Sequence, residues 1–151
     1  MIATERRLRL SKWLIALLLC FIWGNSLLPG QASEAFSLWV KSLLDGLLPP
    51  AGPDQGDGLL RKFAHFAEFA ALGFCLTWRF GMLEKRKILA LVFGFCAACV
   101  DETIQVFVPE RGPGIKDVAI DTCGVLAGMG LLLLAHKFTT YFKQLKENKT
   151  L

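Results

Sequence analysis

The residues that could do chemistry fall in three short stretches. The first holds Arg61, Lys62, His65 and Glu68, the second Asp101, Glu102 and Gln105, and the third Glu110, Arg111, Lys116, Asp117 and Asp121. Arg61, His65 and Glu68 recur at i, i+4 and i+7, which is one stripe on a helix. Asp101 with Gln105, and Asp117 with Asp121, repeat the i, i+4 spacing. A histidine can take or give a proton near neutral pH when a carboxylate orients it. Guanidinium and ammonium groups grip phosphate or carboxylate.

Three chemistries are therefore open. In an enzyme, His65, Glu68, Asp101 and Glu102 would be catalytic, and Arg61, Lys62, Gln105, Arg111, Asp117 and Asp121 would bind the substrate, with Arg61, Lys62 and Arg111 gripping a phosphate. Ser26 and Thr103 are weak candidates for a nucleophile. In a binding protein the same groups would hold the ligand unchanged. In a metal protein His65 and Glu68, at i and i+3, would join Asp101, Glu102 and Asp121 as ligands. The nearby cations compete for those carboxylates, so no residue is assigned to a metal, and no cofactor follows from the residues. A plainer role is mutual pairing that holds helices together, Arg61 with Asp121 or Lys62 with Glu102. Six carboxylates, four cations and one histidine are more than a small bundle needs for that.

The elements that must position these groups are apolar. The chain has 151 residues, 54% of them hydrophobic and only 20% charged, with a mean hydropathy of +0.46. A soluble domain of this size must wet its own surface and rarely carries so little charge. Lipid is the solvent that this composition suits. Four apolar runs, Trp13–Leu28, Phe63–Phe80, Ile88–Val108 and Val118–Ala135, approach the length of about 20 residues that a helix needs to cross a bilayer. They show no period-2 alternation, so a barrel is excluded. The reading is an all-α polytopic membrane protein, one domain over 1–151. It is a four-helix bundle with spans at about 11–29, 61–80, 87–108 and 117–136 and a basic tail at 137–151. The first run and Gly30-Gln31-Ala32 also resemble a signal peptide, but the run is long for one and Pro29 crowds the cleavage point.

Lysine and arginine decide the orientation. The N-terminus, the second loop and the tail carry twelve of them, and the first and third loops carry five. The positive-inside rule puts both termini in the cytoplasm. The start of the second span, the end of the third and the start of the fourth then lie at one depth on the outer side. All three stretches of ionisable residues sit there, where buried charge costs on the order of 2.5–3.5 kcal/mol per residue. Gly124-x-x-x-Gly128 continues the Asp117–Asp121 stripe and admits a close neighbouring helix, so the expectation is one outward-facing polar cavity. Leu131–Leu134 is apolar all round, as a lipid-facing inner half should be.

Between the first two spans, Phe36, Trp39, Val40, Leu43, Leu44 and Leu47 form an apolar stripe at helical spacing. Ser33 can cap that helix and Pro49-Pro50 ends it. A short amphipathic helix at about 34–48 is expected, lying in the outer interface or across the top of the bundle. Cys20, Cys75, Cys96, Cys99 and Cys123 all fall in apolar runs and read as small packing residues rather than a disulfide framework. The basic tail is explained by topology, so no nucleic-acid partner is implied.

The three polar stretches together resemble the VanZ-like membrane proteins. Arg61-Lys62-Phe-Ala-His65-Phe-Ala-Glu68-Phe-Ala-Ala-Leu72-Gly73 is similar to their K-x-x-H-x-x-E/Y-x-x-L-G element. Asp101-Glu102-Thr-Ile-Gln105-Val-Phe-Val-Pro109-Glu-Arg111 is similar to D-E-x-x-Q-x-F-x-P-x-R. Asp117-Val-Ala-Ile-Asp121-Thr-Cys-Gly124, with Gly128, matches D-x-x-x-N/D-x-x-G-x-x-x-G. Ser26 and Pro29 correspond to a weaker Ser/Pro element. The likeness runs in order from about residue 23 to 130, with Asp121 where many relatives have Asn. The family is named for a protein that lowers bacterial sensitivity to teicoplanin, a lipoglycopeptide that anchors in the outer leaflet. The resemblance implies a multi-pass protein of the bacterial cytoplasmic membrane that works on the cell envelope. Its implied partners are the bilayer and a lipid or lipid-linked molecule. The cofactor and oligomeric state are left open.

Overall fold

The structure is a computed structural model that describes residues 2–32, 35, 38, 39, 42, 56–81, 84–112 and 114–148. Every element among the described residues is helical: α1 (Ile2–Ser26), α2 (Gly56–Phe80), α3 (Glu84–Val106) and α4 (Ile115–Asn148). Three of them, α1, α3 and α4, are long and apolar enough to cross a membrane. The apolar content of α2 is diluted by Arg61, Lys62, His65, Glu68 and Arg79.

The helices run further than the apolar runs do. α4 does not stop near residue 136 but continues to Asn148, so residues expected to form a tail extend the helix. Over 34 residues it spans about 51 Å, well beyond a hydrocarbon core of about 30 Å. No glycine or proline interrupts it after Gly130. Thr139 and Thr140 donate their hydroxyls to the Ala135 and His136 carbonyls instead of breaking it. α1 likewise starts at Ile2, before the apolar run. The interfacial helix expected at about 34–48 lies mostly outside the described residues. Ala35, Leu38, Trp39 and Ser42, which are described, have helical backbone.

α2 is the centre of the bundle. It packs most extensively on α4 and also touches α1 and α3. Phe69, Leu72 and Leu76 of α2 meet Ile22 of α1, Ala90, Ala97 and Ala98 of α3, and Val125 and Met129 of α4. In lipid such burial yields little hydrophobic gain, because acyl chains are as apolar as leucine. Association then depends on closeness of fit. The fit comes from glycine. A β-carbon on Gly128 would strike the Ala70 carbonyl oxygen of α2, and one on Gly73 would strike the Val125 carbonyl of α4. The expected small-residue seam therefore exists, and its partner helix is α2.

The middle of the outer surface is apolar, and the inside holds polar groups beside the apolar core. Trp13, Leu17, Phe21, Phe63, Ile88, Phe93, Leu131 and Leu134 are exposed. Ser26, His65, Thr77, Asp101, Glu102, Gln105, Arg111 and Asp121 are buried. Water would penalise that exterior, whereas a bilayer would solvate it. All five cysteines are free. Cys20, Cys96 and Cys123 are exposed on this apolar exterior rather than packed inside, which corrects their reading as tight-packing residues.

Candidate functional site

The polar groups meet at one end of the bundle, where α1 and α3 end and α2 and α4 begin. Short bonds tie the segments there. Gln31 donates to the Glu110 carboxylate at 2.8 Å, and the Gly30 amide to the Pro109 carbonyl at 3.4 Å. The Gly114 amide, one residue before α4, donates to Glu102 Oε2 at 2.9 Å. Glu110 itself takes a left-handed backbone (φ 63°), unusual for a residue with a β-carbon, and so turns the chain sharply after α3. That turn carries Arg111 inward.

Three helices contribute to the centre. His65 of α2, Asp101 of α3 and Asp121 of α4 are all buried. His65 Nδ1 lies 3.7 Å from Asp101 Oδ2 and 3.8 Å from Asp121 Oδ1. Gln105, one turn beyond Asp101 on α3, donates to Asp101 Oδ2 at 3.0 Å and reaches the Ser26 hydroxyl at 3.4 Å. Beside this centre is a small cleft lined by Arg61, Lys62, His65, Glu102, Gln105, Asp117, Ile120 and Asp121. Its empty space is about 260 Å³, counted out to its open mouth.

The ten residues singled out in the sequence divide in two. Arg61, Lys62, His65, Glu102, Gln105, Asp117 and Asp121 line the cleft. Glu68, Asp101 and Arg111 do not. Asp101 lies behind His65 and Gln105. Glu68 turns toward α1, where Asn25 Nδ2 donates to its Oε1 at 3.4 Å. Arg111 is buried rather than free in a loop: its Nη2 donates to the Asn25 carbonyl at 3.1 Å. The expected pairs of Arg61 with Asp121 and of Lys62 with Glu102 do not form. Among the described residues, the ion pairs within the cluster both belong to His65.

Several buried polar atoms have no hydrogen-bond partner among the described residues: Asp121 Oδ1 and Oδ2, Asp101 Oδ1, Glu102 Oε1, Glu68 Oε2, and Arg111 Nε and Nη1. Buried polar atoms are nearly always satisfied, by protein groups or by ordered water. Burial pulls the Arg111 guanidinium below its ordinary pKa, Arg61 adds to this, and Asp101, Glu102 and Glu68 oppose it. An arginine nevertheless stays charged in a protein. Glu102 spends one oxygen on Gly114, so part of its work is to hold the start of α4. Of the two weak nucleophile candidates, Thr103 is exposed and donates to the Cys99 carbonyl of its own helix.

Asn25 is the residue that the reading of the sequence missed. It holds both Arg111 and Glu68, with its carbonyl and its side chain respectively. Its signal was its place: Asn25-Ser26 is a polar pair at the end of an apolar run, where an amide is expensive without a partner.

An apolar-coated helical bundle with helices long enough to cross a bilayer is the architecture of an integral membrane protein. The family description VanZ/LLP1 matches residues 11–136, and the chain belongs to that family. No curated protein and no solved structure matches it.

Proposed function

We propose that this VanZ-family protein acts on the cell envelope by holding the anionic headgroup of a lipid or lipid-linked molecule in its polar cleft. All four helices cross the bacterial cytoplasmic membrane, both termini are cytoplasmic, and the cleft faces outward within one domain over 1–151. The orientation rests on twelve lysines and arginines against five. α2 crosses with its partners because His65 is buried and Glu68 is half-buried in the bundle, and its seam with α4 reaches from Phe66 to Phe74.

The observation that carries the reading is Arg111. It is a buried guanidinium with Nε and Nη1 unpartnered, beside a cleft edged by Arg61 and Lys62. Arginine presents a rigid fork of donors that suits phosphate or carboxylate. At the depth where lipid headgroups lie, an anion that reaches from the cleft to Arg111, which stands outside the cleft lining, would satisfy what the protein leaves open. His65 at the cleft wall could move a proton on the bound molecule, which would make the protein an enzyme. A non-enzymatic lipid or antibiotic binder is the second reading. It is favoured by Ser26, which already accepts from Gln105, and by the outward position of Thr103. Lower sensitivity to lipoglycopeptides such as teicoplanin is the phenotype that the family relationship suggests.

The test is a profile of lipids and lipid-linked precursors in cells with and without the gene, beside the lipids that copurify with the protein. An altered headgroup that depends on His65 means an enzyme. An unaltered profile with an anionic lipid retained by the wild type, but not by Arg111→Ala, means a binder. No change and no retained anionic lipid would overturn the headgroup reading.

A further inference from the structure

We propose that His65, Asp101 and Asp121 form a site for one divalent cation of the zinc or manganese class. The three residues come from three helices, and each offers a ligand atom within 4.8 Å of the other two. His65 Nδ1 is 3.7 and 3.8 Å from the two carboxylates, too far for hydrogen bonds. Two ligands on one metal, each about 2.1 Å from it, stand roughly 3.0–4.2 Å apart depending on the angle between them. Both histidine spacings fall in that range and suit a shared cation better than direct contact.

The unsatisfied atoms point the same way. Asp121 is 1% exposed, lines the cleft, and has no hydrogen-bond partner on either oxygen. Asp101 is fully buried with Oδ1 unpartnered. Around the triad stand Glu68, Glu102 and Asp117, which makes five carboxylates with Asp101 and Asp121. Arg61, Lys62, Arg111 and Lys116 are the cations at this end, and Arg111 is bonded to Asn25 on the α1 side. Among the described residues, no ion pair joins any of them to the triad. An additional positive charge would balance the cluster.

The surroundings are those of a metal site. Gln105 donates to Asp101 Oδ2 and so orients a ligand from the outer shell, as metal-binding carboxylates require. One imidazole and two carboxylates suit zinc or manganese; calcium takes six to eight oxygens. Three protein ligands beside an open cleft leave coordination positions for water or an anion. The proposal does not depend on the headgroup reading, since the triad can hold a cation whether or not a lipid occupies the cleft.

The experiment uses the full chain in detergent micelles, stripped with EDTA and then freed of it. ZnCl2 and MnCl2 are titrated by calorimetry, and the melting temperature is read with each metal and in EDTA. The wild type should bind one equivalent and melt higher with metal. Asp121→Asn should lose both effects. Gln105→Leu, which leaves all three ligands in place, should bind about tenfold more weakly. His136→Ala, far along α4, should bind as the wild type does. No stoichiometric binding by the wild type would overturn the proposal. So would binding that is unchanged in both Asp121→Asn and Gln105→Leu. Retention of anionic lipid in EDTA reports on the headgroup reading separately.

Discussion

Gly128→Ala and Gly130→Ala should move stability in opposite directions, although the two positions are neighbours on the same helix. A β-carbon at 128 would overlap the Ala70 carbonyl oxygen and stand 2.7 Å from its carbon and 2.8 Å from the Phe74 nitrogen. These are backbone atoms of α2 and cannot swing aside. α2 and α4 would have to part, and the close approach of Gly73 to Val125, on the same seam, would open too. Overpacking of this kind costs typically about 1–3 kcal/mol. Alanine returns up to about 1 kcal/mol through its better helix propensity. The net loss for Gly128→Ala is then about 1–2 kcal/mol. At Gly130 nothing lies within 4 Å of the added carbon. Only the propensity gain acts there, about 0.5–1 kcal/mol in favour of the fold. The assay is reversible unfolding in mixed micelles, followed by the fluorescence of the four tryptophans. The variants should differ by about 1.5–3 kcal/mol with opposite signs relative to wild type. Equal shifts, or a more stable Gly128→Ala, would refute the reasoning. α2 and α4 would then not meet as closely as described, and the 3.8 Å gap between His65 and Asp121 would lose its support.

A cysteine placed at position 55, in a variant without native cysteines, should react with an impermeant reagent from outside. Reaction at position 85 instead would invert the topology. Arg111→Ala should abolish the lipid or drug-sensitivity phenotype while the protein stays in the membrane, and Arg111→Lys should also be impaired, because an ammonium lacks the fork. A parallel fall in membrane yield and melting temperature in both would assign Arg111 a purely structural role. Asn25→Leu removes the amide donated to Glu68 but keeps the carbonyl that Arg111 uses. It should cost about 1–3 kcal/mol by stranding Glu68 and spare phosphate retention by Arg111, and loss of that retention would contradict the division of labour.

What the sequence determined by itself was an exterior suited to lipid, the helical class and the one end of the bundle at which the polar groups meet. Composition and run length suffice for the first two. The third follows because consecutive helices alternate in direction, so the end of one and the start of the next share a level. That is why His65, Asp101, Gln105 and Asp121 were legible as neighbours before any packing was known. Their helical period also showed that each stripe is polar on one face only. Period alone does not say how far a helix is rotated or which neighbour it meets. Those were decided by the glycine seam that presses α4 onto α2, which brings Asp121 to His65. The inward turn of Arg111 depends on a left-handed Glu110 and on the carbonyl of Asn25, a contact between residues 86 positions apart. The Glu102–Gly114 bond depends on where a loop closes rather than on residue type. A sequence records what each group can bind; the backbones, packed in three dimensions, select among the partners within reach.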